Sequence, residues 1–392
     1  MYSKPVDNRD THSSLTRAEL AFQVATMYYE QGKPQKVIAE ELKLGHNSAV
    51  SRLLKFAREA GIVRIEIRPE FGVQPKRDRS LETKLIQNFD LDNAIVVSRT
   101  GYESGFDATE DEKLHVSLGV ALAERLRTML RAKDHIGVTG GRGTYYTARA
   151  LSAIHPPALK HKGIVIISLT GNVTTITSAS KTIDADDVAH QLSLGFENAE
   201  LRRLSLPVAV TSKRVKEELF AKGQGMAISP KLWRMKRVPV PNIAILGIGV
   251  LDDKSKHRFL NLEGFELQPI KSQLLQLREK VRTAKYCPVG DIGYRLFYIE
   301  PPSKSVCLPQ QTIAKIKRII DSLNCRLLCI DEEQLRMVDT RIVIGGGPLK
   351  VSAIRQILDS VHPAPLIHEL CTDERTARAL LAQVPSRSRR GF

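Results

Sequence analysis

Between residues 81 and 358, short β-branched runs alternate with helical periodicities, and four of those runs end in glycine-rich or polar loops. Parallel strands need long crossover connections, usually helices, so this alternation restricts the chain to an α/β fold with a parallel sheet covered on both faces. The pattern predicts helices at 81–89, 111–130, after Thr144, 184–195 and 350–358. Strands are expected at 94–97, 136–138, 164–169, 208–211, 243–246 and 294–299, with 341–344 as the last core strand. In such sheets ligands bind beyond the carboxyl ends of the strands. The loops there read Thr139-Gly140-Gly141-Arg142-Gly143-Thr144, Thr170-Gly171-Asn172, Gly247-Ile248-Gly249 and Gly345-Gly346-Gly347-Pro348-Leu349-Lys350. The first and last precede helices, where backbone N–H groups favour a phosphate or carboxylate, with Arg142 and Lys350 adding charge. Neither is a Walker A loop or a dinucleotide fingerprint, so a nucleotide is not expected.

A different pattern occupies the first 70 residues. Val37, Ile38 and Leu42 share one helical face, and after the break Gly45-His46-Asn47 the same spacing returns in Val50, Leu53, Leu54 and Ala57. A preceding helix, 15–31, opens on a capping box of Thr16 and Glu19, lines a core with Leu20, Val24, Met27 and Tyr28, and ends at Gly32. Pro34 suits the start of the next helix. This is the layout of a helix-turn-helix, and the alternation at 62–67 adds a strand that would make it winged. The residues expected to face DNA are Gln35, Lys36, His46, Asn47, Ser48, Ser51 and Arg52, with Lys55 and Arg58 reaching phosphates. A plain three-helix bundle would show similar stripes.

The expected organisation is therefore a flexible stretch 1–15, a winged helix-turn-helix 16–69, a linker 70–80, a large domain 81–384 and a basic tail 385–392. With 392 residues, 42% of them hydrophobic, the chain has the material for a sizeable core. The net charge of +16 favours polyanionic partners. Residues 1–80 account for only +4 of it, whereas residues 201–237 carry ten basic side chains against Glu217 and Glu218. That run is either a second anion-contacting surface or a solvated face. The five cysteines have no paired CxxC spacing and an odd count, so neither a zinc site nor a disulfide framework is expected. No apolar run approaches 18 residues, and the first 14 are polar, which argues against a signal peptide or a membrane span and for the cytoplasm.

Asp291 stands in Gly290-Asp291-Ile292-Gly293, between a Pro-Gly break and a strand. Its carboxylate has three readings: accepting sugar hydroxyls, acting as a general base, or capping a turn. His135, His155, His161 and His190 form no recognisable catalytic set, and no catalytic residue, metal or cofactor is expected.

Several stretches together resemble the SorC/DeoR group of bacterial transcriptional regulators over residues 16–384: VSRLLKFAREAGIV, LETKLIQNFDLDNAIVV, IGVTGGRGT, GDIGYRLF, IGGGPLKVSAIRQIL and CTDERTARALL, in that order. The resemblance implies a Rossmann-like effector domain similar to sugar-phosphate isomerases that binds its ligand without turning it over. It puts Gly140, Gly141, Arg142, Gly143 and Thr144 in a first ligand loop, with Thr139 at its base, and Gly346, Gly347 and Lys350 in the last. Asp291 matches the acidic position contacting the sugar, and Thr170 lies in a loop that contributes to the pocket. The chain departs from the family in a turn one residue longer before the recognition helix and in a first loop without its aromatic residue. It also has extra material near 252–262 and 303–338.

The function implied is sequence-specific control of a carbohydrate uptake or catabolism operon. Its partners would be operator DNA and a sugar, polyol or sugar-phosphate effector, with a homodimer or homotetramer on a two-fold operator and no membrane. Two rivals stay open: a sugar-phosphate isomerase-like enzyme using Asp291 and Lys350, and a nucleic-acid-binding scaffold whose large domain only oligomerises.

Overall fold

The computed structural model describes residues 16–65, 75–98, 110–153, 162–173, 183–251, 268–282, 286, 288–301, 307–360 and 365–382. The chain divides into two compact units, Met1–Arg68 and Pro69–Phe392.

In the first unit α1 (Arg17–Ala25) starts on the expected capping box: Glu19 N donates to Thr16 Oγ1 (3.3 Å) and Thr16 N to Glu19 Oε2 (2.7 Å). The helix then widens into a π-turn, Thr26–Glu30, where Gln31 N donates to Thr26 O. This i to i+5 winding rotates Tyr28 off the core face, leaving it at the surface. Then come α2 (Gln35–Glu41) and α3 (Asn47–Glu59), joined by a turn in which Lys43 and Gly45 take positive φ. Ala21, Val24, Met27, Ile38, Leu42, Val50, Leu54 and Ala57 form the core, while Val37, expected inside, is exposed. Residues 62–65 form no strand, and the rest of the expected wing lies outside the described residues.

The second unit runs α4 (Arg79–Phe89), β1 (Asn93–Val97), α5 (Glu110–Met129), β2 (His135–Val138), α6 (Arg142–Ser152), β3 (Val165–Ser168), α7 (Ala185–Ser193) and β4 (Glu200–Arg202). Next are α8 (Lys213–Ala221), α9 (Pro230–Arg234), β5 (Ile243–Val250), α10 (Gln268–Arg282) and the hairpin β6 (Val289–Ile292) and β7 (Arg295–Tyr298). The last elements are α11 (Gln310–Asn324), α12 (Glu332–Arg336), β8 (Thr340–Ile344), α13 (Val351–Leu358), β9 (Glu369–Asp373) and α14 (Glu374–Ala382).

Seven strands pair in parallel in the order β1-β9-β8-β5-β2-β3-β4. Alternate residues of each strand go to opposite faces. Ile136, Ile245, Ile342 and Ile344 pack under α5, α6 and α7, whereas Val96, Leu246, Val343 and Leu370 pack under α4, α13 and α14. The outer half of β5 leaves the parallel sheet and pairs antiparallel with β6, so that β6–β7, α10 and α11 build a third cluster around Leu274, Leu296, Ile316 and Leu327.

Four expectations need correction. Residues 208–211 make only isolated bridges, Asn172 with Pro207 and Ala209 with Leu327, because Pro207 has no N–H for a ladder and Ser205 has positive φ. Asp291 lies in strand β6, not in a break. The last core strand is β9, whose sequence ELCTD hides a fully buried strand because Glu369 is paired inside with Arg125 (2.7 Å) and accepts a hydrogen bond from Asn93 Nδ2 (2.9 Å). Finally, the linker's end at 76–80 belongs to the second unit: Arg77 bridges Val97, and Asp78 caps α4 through Leu81 N (3.0 Å). Residues 1–15, 252–262 and 385–392 lie outside the described residues, while 303–338 contains α11 and α12.

Candidate functional site

In the first unit His46 is the N-cap of α3, with extended backbone and no side-chain cap bond, so the longer turn places Asn47 and Ser48 in the helix's opening turn. His46, Asn47, Ser48, Ser51, Arg52, Lys55 and Arg58 are all exposed, as is Lys36, while Gln35 is half-buried. Lys36, Lys43, His46, Asn47 and Ser48 line one shallow groove. Lys55 lies 3.7 Å from Glu59, an exposed pair of little energetic weight.

In the second unit the chain runs from β2 outward to β3 and β4, then returns to β5 on the other side of β2. This reversal is a topological switch point, and the crevice there is the natural ligand position. Thr139, fully buried, ties the two strand ends together: its Oγ1 accepts from Gly247 N (2.9 Å), and its N–H donates to Ile245 O (3.2 Å). Gly247 lacks a Cβ because one would sit 3.0 Å from the Gly140 carbonyl. Gly141 N donates to Ile183 O (3.2 Å), and Thr144 Oγ1 donates to Gly141 O (2.9 Å). Helix α6 begins at Arg142, three residues earlier than expected, with Gly143 inside it and, among the described residues, no side chain capping its N-terminus. Its first N–H groups are thus available to an anion. The Arg142 guanidinium is ion-paired with Asp111 of α5, and both are about half exposed.

Thr170 follows β3 with no exposure, and among the described residues its Oγ1 has no hydrogen-bond partner; Ser168 Oγ and Asn172 Oδ1 are likewise unpartnered there. Buried polar atoms are normally paired, so three orphans at one strand end mark a place where a ligand or water completes the bonding. Gly293 closes the cluster, since a Cβ on it would lie 2.7 Å from Thr139 Cγ2 and 3.7 Å from Thr170 Cγ2. Asp291, 5% exposed, accepts from Tyr294 N (3.1 Å) through Oδ2, and its Oδ1 fills the space over Gly249, where a Cβ would be only 2.1 Å away. Of its three sequence readings, turn capping is the one this contact supports.

The last loop differs from expectation. Gly347 N donates to Asp373 Oδ2 (2.8 Å) and Thr376 Oγ1 (2.9 Å), and Gly345 N to Cys371 O (3.0 Å). Asp373 Oδ1 meanwhile caps α14 through Arg375 N and Thr376 N. The Gly347 N–H expected to cradle a phosphate is therefore already committed to a carboxylate. Gly346 serves close approach, a Cβ there lying 2.3 Å from Asp373 Oδ2, and the stem of Lys350 passes Gly345. Sequence reasoning missed Asp373 and Thr376. Their signal was present in CTDERTA, where an Asp followed three residues later by Thr opens a helix.

The fold thus gathers Thr139, Gly140, Gly247, Gly293 and Thr170 in direct contact at the switch point and turns Arg142 toward Asp111. A doubly wound sheet with orphaned hydroxyls at its strand reversal, preceded by a separate tri-helical unit, defines a ligand-binding α/β protein with an N-terminal accessory module. Residues 73–271 match the family described as "Putative sugar-binding domain", and the chain belongs to that family.

Whole-length relatives agree with the SorC/DeoR resemblance. The chain is 25% identical over 377 residues to the transcriptional regulator LsrR of Klebsiella pneumoniae subsp. pneumoniae, covering 96% of this chain and 97% of that one. It is 25% identical over 375 residues to the deoxyribonucleoside regulator of Bacillus subtilis, covering 93% and 98%. Among solved structures, the full-length sorbitol operon regulator SorC from Klebsiella pneumoniae shares the fold with a TM-score of 0.54 at 22% identity, covering 92% of this chain and 98% of that one.

Proposed function

We propose that this protein is a DNA-binding transcriptional regulator of a carbohydrate uptake or catabolism operon, controlled by a sugar, polyol or sugar phosphate. The observation that carries the reading is the end-to-end similarity to regulators, which spans both the tri-helical unit and the sheet domain. In the first unit α3 enters the major groove: Asn47, Ser48, Ser51 and Arg52 read bases, and Lys55 and Arg58 hold phosphates. In the second, ligand hydroxyls complete the bonding of Thr170 and Ser168, and an anionic end, where present, sits on the uncapped N-terminus of α6. The committed Gly347 N–H makes the last loop a structural brace.

To act as a switch, the effector binds the DNA-competent and DNA-incompetent states unequally, and a coupling of about 1 to 3 kcal/mol changes operator affinity roughly 5- to 150-fold. The regulator works as a dimer or tetramer in the cytoplasm and does not turn its ligand over. No helix among the described residues is long and apolar enough to cross a membrane.

Fluorescence anisotropy on DNA from upstream of the protein's own gene, at fixed salt, with a panel of sugars, polyols and sugar phosphates, tests this directly. Specific binding shifted by one ligand and abolished by Arg52→Ala is expected. Sequence-blind binding together with turnover of a sugar phosphate would replace the regulator by an enzyme.

A further inference from the structure

A cavity of about 370 Å³ opens between the β6–β7 hairpin, α11, the start of α12 and the end of α13. It is not the switch-point cluster. Neither Thr139 nor Thr170 lines it, although Gly293, which touches both, forms part of its wall. Its volume falls in the range of small-molecule sites; Leu246, Phe297, Ile330, Leu335 and Ile357 form an apolar part of its wall, and polar side chains line the rest.

The polar groups facing it are nearly all occupied. Asn324 spends its amide on Leu296, accepting from its N (3.0 Å) and donating to its O (2.8 Å). Gln356 Oε1 accepts from Glu300 N (2.9 Å), and Asp331 caps α12 through Gln334 N (2.8 Å). Glu332 is paired with Arg336 (2.7 Å), and Lys317 lies 3.4 Å from Glu300 and over the Tyr298 ring. Asp321 stands exposed on α11. Arg295 differs from these: it is half-buried on β7, lines the cavity, and has no hydrogen bond or ion pair among the described residues.

A half-buried guanidinium with no partner among the described residues is a ready site for an anion, and a carboxylate meets its fork with two parallel hydrogen bonds. We infer that this cavity binds a small carboxylic acid with an apolar body, its carboxylate on Arg295 and its hydrocarbon part among Leu246, Phe297 and Ile357. The site is independent of the switch-point pocket but shares the Gly293 turn with it.

Isothermal titration of the full-length protein with phenylacetate and isovalerate, against the neutral isostere phenylacetamide, tests the assignment. Both acids are expected to bind saturably, phenylacetamide at least tenfold more weakly. Arg295→Gln should lose at least tenfold for the acids with an unchanged circular dichroism spectrum, and Arg295→Lys should recover part of the loss. The inference is overturned if neither acid binds folded wild-type protein, if Arg295→Gln binds them equally, or if sorbitol or inorganic phosphate displaces them.

Discussion

Thr170 sets the sharpest test at the level of single residues. Among the described residues its hydroxyl is buried without a partner, a state that costs the unliganded protein about 1 to 3 kcal/mol in lost hydration. Thr170→Val removes that cost, so thermal stability of the free protein should stay level or rise, while effector affinity falls roughly 5- to 10-fold for one lost hydrogen bond of about 1 to 1.5 kcal/mol. A drop in melting temperature would show that the hydroxyl has a structural partner instead. Far from that pocket, His368 precedes β9 beside Arg341, whose guanidinium donates to Leu366 O (2.9 Å), Pro365 O (2.6 Å) and the Val338 carbonyl. Burial, then the Arg341 charge, hold the imidazole below its ordinary value of 6.5. The unfolded chain consequently takes up that proton first on acidification, and stability is lost as pH falls below about 6.5. Urea midpoints at pH 7.5 and 5.5 should differ in that direction, with the gap narrowing in His368→Gln.

At the level of elements, α5 and α6 approach so closely at Gly119 that a Cβ would lie 2.6 Å from the Tyr146 carbonyl carbon. That neighbour is backbone and cannot swing aside. Gly119→Ala, favourable for helix propensity alone, should therefore destabilise by about 1 to 3 kcal/mol in urea titration. Which elements could be read from sequence follows the same physics. Strands β2, β3 and β8 were legible because buried β-branched runs have few other solutions, and α1 because Thr16 and Glu19 announce its start. Strand β9 was not, since its Glu369 and Asp373 look like surface residues until Arg125 and Gly347 are brought to them by chain segments far away in sequence. The glycine loops were visible as a set, but the division of labour between them was not. Whether a loop N–H is free for a ligand or already taken by Asp373 is a tertiary fact. Arg142 is a similar case, its pairing with Asp111 decided by where α5 starts.

At the level of the whole molecule, residues 21–57 build a hydrophobic core within the first unit, and the sheet unit has its own clusters. An effector bound at the switch point stabilises only what it touches, by about 2.7 kcal/mol at a hundredfold excess over Kd. Amide exchange without DNA should accordingly slow in β2, β3 and β5 on adding effector and stay unchanged in α1, α2 and α3. Slowing in both units would mean that they communicate before any operator is present. Of the ten basic side chains in the run 201–237, Arg202, Lys213, Arg214 and Arg234 are each paired to a glutamate. Strand β5 has the widest mechanical reach. Its inner half is clamped between β2 and β8, and its outer half carries β6, so a single rod links the middle of the sheet to the hairpin that bears Asp291 and Arg295. A hairpin continuous with a strand paired on both sides is coupled to that strand's movement. Force applied to it is delivered as torque on the sheet's central strands, and the domain would answer by turning as one body.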